Sequence, residues 1–134
     1  MAKESGIGMT VTVDDAAAAG QAITNDVTSI SFSTPRGLQD ITGLDKSAIE
    51  RLLLLADGTV TINGVFNDDS NKSHAVFKTV PTTSVSRTVV IVHSGQTLTM
   101  ECMFSDYSLN RAQDGSLTWT ASGSLSNGTA PTWS

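Results

Sequence analysis

The 134-residue sequence contains few of the side chains on which cross-linking, metal binding and catalysis usually depend. Its single cysteine, Cys102, excludes an internal disulfide bond and argues against a cysteine-based zinc site. The two histidines, His74 and His93, have neither a metal-ligand partner at a suitable spacing nor the acidic neighbours of a catalytic triad. We therefore expect no catalytic, cofactor-binding or metal-binding residues, and a protein that is not an enzyme.

Charged residues are also scarce, at 16% of the chain, and the net charge is −5. The eight lysines and arginines form no cluster, so the neutralisation of phosphates that drives nucleic-acid binding is missing. No apolar run approaches the ~18 residues of a membrane helix. The N-terminus lacks the basic and apolar segments of a signal peptide. These absences predict synthesis in a reducing cytoplasm and no membrane partner.

What the chain does contain is alternation of polar and apolar residues over short segments. In "TLTMECMF" the apolar positions Leu98, Met100, Cys102 and Phe104 alternate with polar ones, as in a half-buried antiparallel strand. Five other segments carry a strand pattern, and "HSG" at 93–95 predicts a hairpin turn. The six predicted strands are 9–13, 27–33, 58–66, 87–92, 97–104 and 116–125. The sequence thus predicts one mainly β domain over residues 1–134, an antiparallel sandwich or barrel.

Two short segments favour α-helices. Residues 45–56 combine an S-x-x-E capping box, Ser47 and Glu50, with four consecutive leucines. Helical spacing places most of the apolar side chains on one arc, which would cover a face of the sheet, but it places Leu54 among the polar ones. The second helix is predicted over 73–80, where apolar positions recur at helical spacing.

Three segments are left without a role in a single subunit. Residues 1–8 and 126–134 are predicted to be terminal arms, and residues 14–26 a long loop of low charge. Trp133 lies one residue from the end of the sequence, where a lone subunit usually exposes it. Segments of this kind often become ordered against a neighbouring chain.

Most of the chain takes part in a resemblance to a known family. The segments are "TNDVTSISFSTPRGLQDITGLDKSAIERLLLLADGTVTINGVFND", "SHAVFKTV", "SRTVVIVHSGQTLTMECMFSDYSLNRAQDGSLTW" and "NGTAPTW". In this order they resemble the major tail proteins, or tail-tube proteins, of long flexible-tailed phages, those of actinobacterial phages in particular. The likeness lies in the order of structural features over nearly the full length, and no short motif carries it.

The resemblance implies a phage tail-tube fold and a structural role in the virion. Six subunits would form a ring, and stacked rings would form the tube through which genomic DNA leaves the particle. Each subunit would add strands to one continuous inner β-barrel, while loops and termini join successive rings. The implied partners are other copies of the chain, a tape-measure protein, other tail proteins and passing double-stranded DNA. The protein would reside in the host cytoplasm before assembly.

Combined with the strand pattern, this resemblance suggests site residues. We expect Leu54 and Trp133 at subunit interfaces, although Leu54 could mark a helix edge and Trp133 could fold onto its own subunit. We expect Thr97, Thr99 and Glu101 to face the bore. Six copies at −5 would give a ring about −30, which would repel phosphate.

Two alternatives to a tube subunit remain open. A tail-completion or head-decoration protein would share a small β-rich fold but stop at a single ring. A carbohydrate-binding β-sandwich would stay monomeric and need exposed aromatic side chains, of which this chain has few.

Overall fold

The structure, a computed structural model, describes residues 3–134 as a mainly antiparallel β protein with one short α-helix, as the strand pattern predicts. In chain order the elements are β1 (Thr10–Asp14), β2 (Gly20–Ala22), a 3₁₀ turn (Thr24–Asp26), β3 (Val27–Ser33), β4 (Arg36–Asp40), β5 (Arg51–Ala56), β6 (Thr59–Val65), α1 (Ser73–Phe77), β7 (Arg87–His93), β8 (Gln96–Arg111), β9 (Leu117–Leu125) and β10 (Thr132–Trp133). All six predicted strands are present, as β1, β3, β6, β7, β8 and β9.

The long strand β8 joins two halves of the main sheet. Residues 96–102 of β8 pair with β7, and residues 102–111 pair with β9 on the opposite edge. We call β2, β1, β7 and residues 96–102 of β8 sheet I, and residues 103–111 of β8 with β9, β6 and β3 sheet II. All neighbouring strands run antiparallel.

The inner faces of sheets I and II share one hydrophobic core. Sheet I contributes Val89 and Leu98, and sheet II contributes Ile62 and Trp119, all of them at most 1% exposed. The predicted inward positions of β8, from Leu98 to Phe104, are all buried. Burial of this apolar surface supplies the main free energy of folding.

The predicted turn between β7 and β8 has the expected geometry. Ser94 has a φ of 52° and Gly95 a φ of 77°, so both central residues are left-handed. Two left-handed residues match the twist of a β-hairpin, and they give β7 and β8 a continuous register from His93 paired with Gln96 to Arg87 paired with Cys102.

Helix α1 confirms the second predicted helix in a shorter form, ending at Phe77. The Asp26 carboxylate, which is 4% exposed, accepts a hydrogen bond from the Ser73 backbone N–H at 3.0 Å. Arg87 is also buried, and its guanidinium donates to the Val76 carbonyl at 2.7 Å. The helix is therefore tied at one end to the 3₁₀ turn before β3 and along its length to β7.

The predicted helix over 45–56 is wrong. Residues 51–56 form β5, which pairs with β4 in a two-stranded antiparallel hairpin. The four leucines are exposed, so no sheet face is covered by a helical arc. The capping-box signal at Ser47 and Glu50 spans one helical turn, whereas the pairing of β5 with β4 joins residues beyond that turn, from Asp40 with Arg51 to Arg36 with Ala56, and here that pairing decides the structure.

The assignment of residues 14–26 to a loop is also wrong in part. This segment holds β2, paired with β1, and the 3₁₀ turn, and its Ile23 is fully buried in the core. The C-terminal segment 126–134 contains β10, which pairs with β8 at Leu98 and Thr99. Of the predicted N-terminal arm 1–8, residues 1 and 2 lie outside the described range, and residues 3–8 are exposed.

Candidate self-assembly surfaces

The hairpin of β4 and β5 extends from the main sheet as a separate structure, here called the arm (residues 36–56). It continues the β3–β6 hairpin beyond Pro35 and Asp57, where the Asp57 N–H donates to the Pro35 carbonyl at 2.8 Å. Neither β4 nor β5 pairs with another strand among the described residues. Every residue from 33 to 55 is exposed.

The arm exposes an unusual amount of apolar surface. In the strands, Leu38 lies opposite Leu53, while Leu52 lies opposite Gln39, so leucines occupy both faces. The exposed large apolar side chains of the arm are Leu38, Ile41, Leu44, Ile49, Leu52, Leu53, Leu54 and Leu55. Large exposed apolar surfaces often mark contacts with other molecules, so the arm is a candidate for such a contact.

Hydrogen bonds at the tip hold the two strands of the arm together. The Thr42 hydroxyl accepts from the Glu50 N–H at 2.8 Å, and the Ile41 N–H donates to the Glu50 carbonyl at 3.0 Å. Hydrogen bonds from the Thr42 hydroxyl and N–H lower the pKa of the exposed Asp40 carboxyl. The arm is thus shaped before any partner arrives, which reduces the entropic cost of docking.

Leu54, the predicted interface residue, lies near the base of the arm. It is 44% exposed, and its backbone carbonyl accepts a hydrogen bond from Arg36 Nε at 2.9 Å. Its side chain lies over Gly37, where an added Cβ would be 3.4 Å from Leu54 Cδ1. The sequence-based reason for its exposure, the polar side of a helix, is replaced by its position on a strand of the arm.

Sheet II ends in strands that each lack a partner on one side. Among residues 3–134, β3 pairs with β6 only, and residues 103–111 of β8 pair with β9 only, because β7 begins, at Arg87, opposite Cys102. Neither segment contains proline, and β3 contains no charged residue. Unpaired N–H and C=O groups along such edges can accept a strand from another chain.

The outer face of sheet II carries mostly hydroxyl and amide side chains, with the exposed apolar Val65 and Met103 opposite Thr118 and Ser124. In one row across three strands, Asn63 Nδ2 donates to Ser29 Oγ at 3.1 Å, and Thr120 Oγ1 donates to Asn63 Oδ1 at 2.7 Å. We call this surface the hydroxyl face. Its members on β3, β6 and β9 are Ser29, Ser31, Ser33, Thr59, Thr61, Asn63, Thr118, Thr120, Ser122 and Ser124.

The predicted bore residues lie on the outer face of sheet I. Thr97, Thr99 and Glu101 are half-buried and alternate with the buried Leu98 and Met100, so they point away from the core. Glu101 Oε2 accepts a hydrogen bond from the Thr88 hydroxyl at 2.6 Å. The structure therefore brings these three side chains to one face, as the alternation predicts.

Trp133, the second predicted interface residue, belongs to β10. The Ser134 and Thr97 backbones exchange two hydrogen bonds of 2.8 Å, which fix the chain end along β8. The indole packs near Phe32 of β3 with ring centroids 6.3 Å apart, yet Trp133 is 56% exposed. The C-terminal segment is therefore ordered on its own subunit and still presents an aromatic surface.

Two of the few reactive side chains, His74 and Cys102, lie against other parts of the subunit. His74 Nδ1 lies 3.1 Å from the Tyr107 hydroxyl, and Cys102 is fully buried. Burial raises the pKa of the Cys102 thiol to about 11. Among residues 3–134, no three His, Cys, Asp or Glu side chains are grouped so that they could hold a metal ion. No helix in the described part of the chain is both long and apolar enough to cross a membrane.

Comparison with solved structures identifies the fold. The chain matches a subunit of the tail of an empty gene transfer agent particle, refined with C6 symmetry, at a TM-score of 0.74 and 15% sequence identity. The match covers 98% of this chain and 99% of that subunit. The chain also matches a chain in the virion of a native gene transfer agent particle, at a TM-score of 0.71 and 14% identity, with coverage of 98% and 99%. No family model and no curated protein matches the sequence. The chain therefore has a fold found in phage-like tail particles, in agreement with the predicted tail-tube type.

Proposed function

We propose that this protein is a structural virion subunit that assembles into stacked hexameric rings, forming the tube of a phage tail. The tube would conduct double-stranded DNA out of the particle. The observation that carries the proposal is that sheet II ends in two open edges. The shared fold with a subunit of a C6-symmetric tail supports six copies per ring.

The two edges can pair with each other in successive subunits. The four strands of sheet II alternate in direction, so β3 and residues 103–111 of β8 run in opposite senses. With all subunits in one orientation, β3 of one copy would lie antiparallel to β8 of the next. Four strands from each of six copies would close a barrel of about 24 strands, more than the 16–18 that already leave a water-filled channel.

This pairing determines which surface faces the bore. Because the inner face of sheet II packs on the subunit's own core, closure would leave the hydroxyl face to line the channel. The sequence-based expectation assigns the bore instead to Thr97, Thr99 and Glu101 on sheet I. We favour the hydroxyl face over that alternative because the two open edges of sheet II run in opposite directions, as antiparallel pairing between identical subunits requires.

The arm would join the subunit to other copies. Its leucines, Leu54 among them, lie on both faces of the arm and would be covered when rings stack. Trp133 is a second candidate for this contact, since half of its surface is exposed beside β3. A tape-measure protein and other tail proteins remain proposed partners on the basis of the family resemblance.

Electron microscopy of the purified protein, with mass measurement in solution, tests this function. Long hollow tubes with sixfold end views are expected at high concentration. Single rings that never stack would favour a tail-completion or head-decoration role. Monomers at every concentration would refute the proposal and return a monomeric binding module to consideration.

Cysteine labelling of assembled tubes tests the orientation of the sheets. Cys102 is buried with a raised pKa, so the unmodified protein provides a low background. A small maleimide is expected to reach Ser122→Cys on the hydroxyl face, while a bulky polymer-linked maleimide is expected not to. Thr99→Cys on sheet I is the matched variant. If the bulky reagent is instead excluded from Thr99→Cys alone, sheet I lines the bore.

A further inference from the structure

The charges of this acidic protein are nearly absent from the hydroxyl face. Strands β3, β6 and β9 contain no ionisable side chain at all. Residues 103–111 of β8 add Asp106 and, at the strand end, Arg111. Other charged groups lie elsewhere, for example at the buried Arg87, on the arm and beside α1.

Asp106 is the only carboxylate within the strands of sheet II. It follows a register irregularity in β8 and pairs with Ser122, which belongs to the hydroxyl face. It is exposed, and its cross-strand row continues through Thr61 to Ser31. One carboxylate per subunit therefore stands on a surface that is otherwise neutral.

Part of the polar surface is also engaged internally. The Asn63 side chain uses its amide nitrogen toward Ser29 and its amide oxygen toward Thr120. The Ser33 and Thr59 hydroxyls lie 2.9 Å apart and bond to each other. Donors that bond within the sheet are less available to a passing phosphate, and the strand register places no lysine or arginine on the hydroxyl face to hold one.

We propose that the hydroxyl face is a wall past which duplex DNA slides because it carries one carboxylate per subunit and no cation, and because part of its polar groups bond to one another. The inference depends on the proposed tube function and specifies how the tube meets its cargo. It differs from the sequence-based expectation, in which the net charge of about −30 per ring repels phosphate.

The spacing of charges explains why repulsion contributes little. Equivalent Asp106 side chains in adjacent subunits would be four strands apart, about 19 Å at ~4.8 Å per strand. The Debye length at physiological ionic strength is only ~8 Å. Each carboxylate would then act alone, and charges on the arm or on sheet I would be screened from the bore.

Nuclease protection separates a neutral wall from a repelling one. Tubes are assembled with short linear duplex DNA, treated with nuclease and analysed for retained DNA. Wild-type tubes and Asp106→Asn tubes are both expected to retain none. Retention by Asp106→Asn would overturn the proposal, because it would mean that the carboxylate keeps DNA away.

Thr118→Lys is the positive control for the same surface, because Thr118 is exposed and lies opposite Asn110 and Val65, with no carboxylate beside it. It places six cations per ring on the hydroxyl face, so protected DNA is expected at low salt. For about six phosphate contacts, affinity should fall about 10³-fold between 50 and 200 mM salt. Tubes of Thr118→Lys that retain no DNA would refute the assignment of this face. If that variant does not assemble, Ser124→Lys, at another exposed position of the same face, takes its place. Failure of the wild-type chain to form tubes would instead refute the proposed function.

Discussion

Replacing Leu54 by glutamate is expected to weaken assembly and leave the folded subunit nearly unchanged. Leu54 is 44% exposed, and full burial of a leucine contributes about 1.5–3 kcal/mol, so covering its exposed part would contribute about 0.7–1.3 kcal/mol per subunit. That loss alone raises the critical concentration for tube formation about three- to ninefold. A carboxylate in an apolar contact adds a desolvation cost, so we expect tenfold or more.

The free energy of unfolding of the subunit should change little with this substitution. The arm makes no strand pair with the main sheet, and every residue from 33 to 55 is exposed. Substitutions at such positions usually change the free energy of unfolding by about 0.5 kcal/mol or less. A substitution of Leu54 therefore affects assembly without affecting folding, whereas a substitution of a core leucine such as Leu98 would affect both.

The critical concentration is measured by sedimenting tubes over a range of protein concentrations, and stability by urea denaturation of unassembled subunits. Gln39→Glu is the matched control, because it adds the same charge to the arm without removing apolar surface. It should shift the critical concentration less than Leu54→Glu. An unchanged critical concentration in Leu54→Glu, or equal losses of assembly and stability, would refute the role of the arm in self-association.

Three further predictions concern the subunit core. Gly64→Ala should lower the free energy of unfolding by about 1–3 kcal/mol. The reason is that an added Cβ would collide with the Asp26 carbonyl oxygen and lie 2.6 Å from Trp119 Cζ2. An unchanged urea midpoint would contradict this prediction. Asp26→Ala should cost a similar amount, about 1–3 kcal/mol, because the Ser73 N–H at the start of α1 loses its acceptor; retained stability together with retained helix signal would argue against that cap. The Cys102 thiol should resist alkylation in the folded protein at pH 8 and react after unfolding, because its pKa is raised to about 11 and the thiolate is the reactive form; fast labelling of the native chain would show that the strand opens.

Period-two alternation, together with one run that is apolar on both faces at 87–92, was sufficient to identify the six strands that enclose the core. It works where one face of a strand is buried, as for Leu98 to Phe104 in β8 or Trp119 and Ala121 in β9. The same signal is weak in β2 and β10, which have three and two residues. Those strands are held by pairing with β1 and β8, and pairing partners are not visible in a local pattern.

The arm was mispredicted for a related physical reason. Neither face of the arm packs on the core of the subunit. Its apolar and polar residues therefore do not alternate as they do in a half-buried strand. A run of four leucines after a capping box is compatible with a helix by local criteria. If the leucines are buried only between subunits, their pattern reflects contacts with other copies and cannot be interpreted from one chain alone.

The candidate surfaces show the same division between local and non-local information. That Thr118, Thr120 and Ser122 face away from the core follows from alternation alone. That they join Thr61 and Asn63 on one face with a single carboxylate depends on the order β8–β9–β6–β3, which the sequence does not reveal. Alternation also shows that Thr97, Thr99 and Glu101 face outward, but it does not show whether sheet I or sheet II lines the bore. The labelling experiment decides between the two sheets.

Edge pairing and arm docking would have complementary tasks in assembly. Backbone hydrogen bonds between β3 and the β8 edge carry little sequence specificity, and a contact between two different edges can close into a ring or continue as an open helix. β3 has neither charge nor proline to prevent pairing with a wrong partner. A shaped, leucine-rich arm that fits only another copy would supply the missing selectivity, because its apolar contacts form only when subunits meet in one relative orientation. On this reasoning, removal of the arm should not abolish strand pairing; it should make the products irregular.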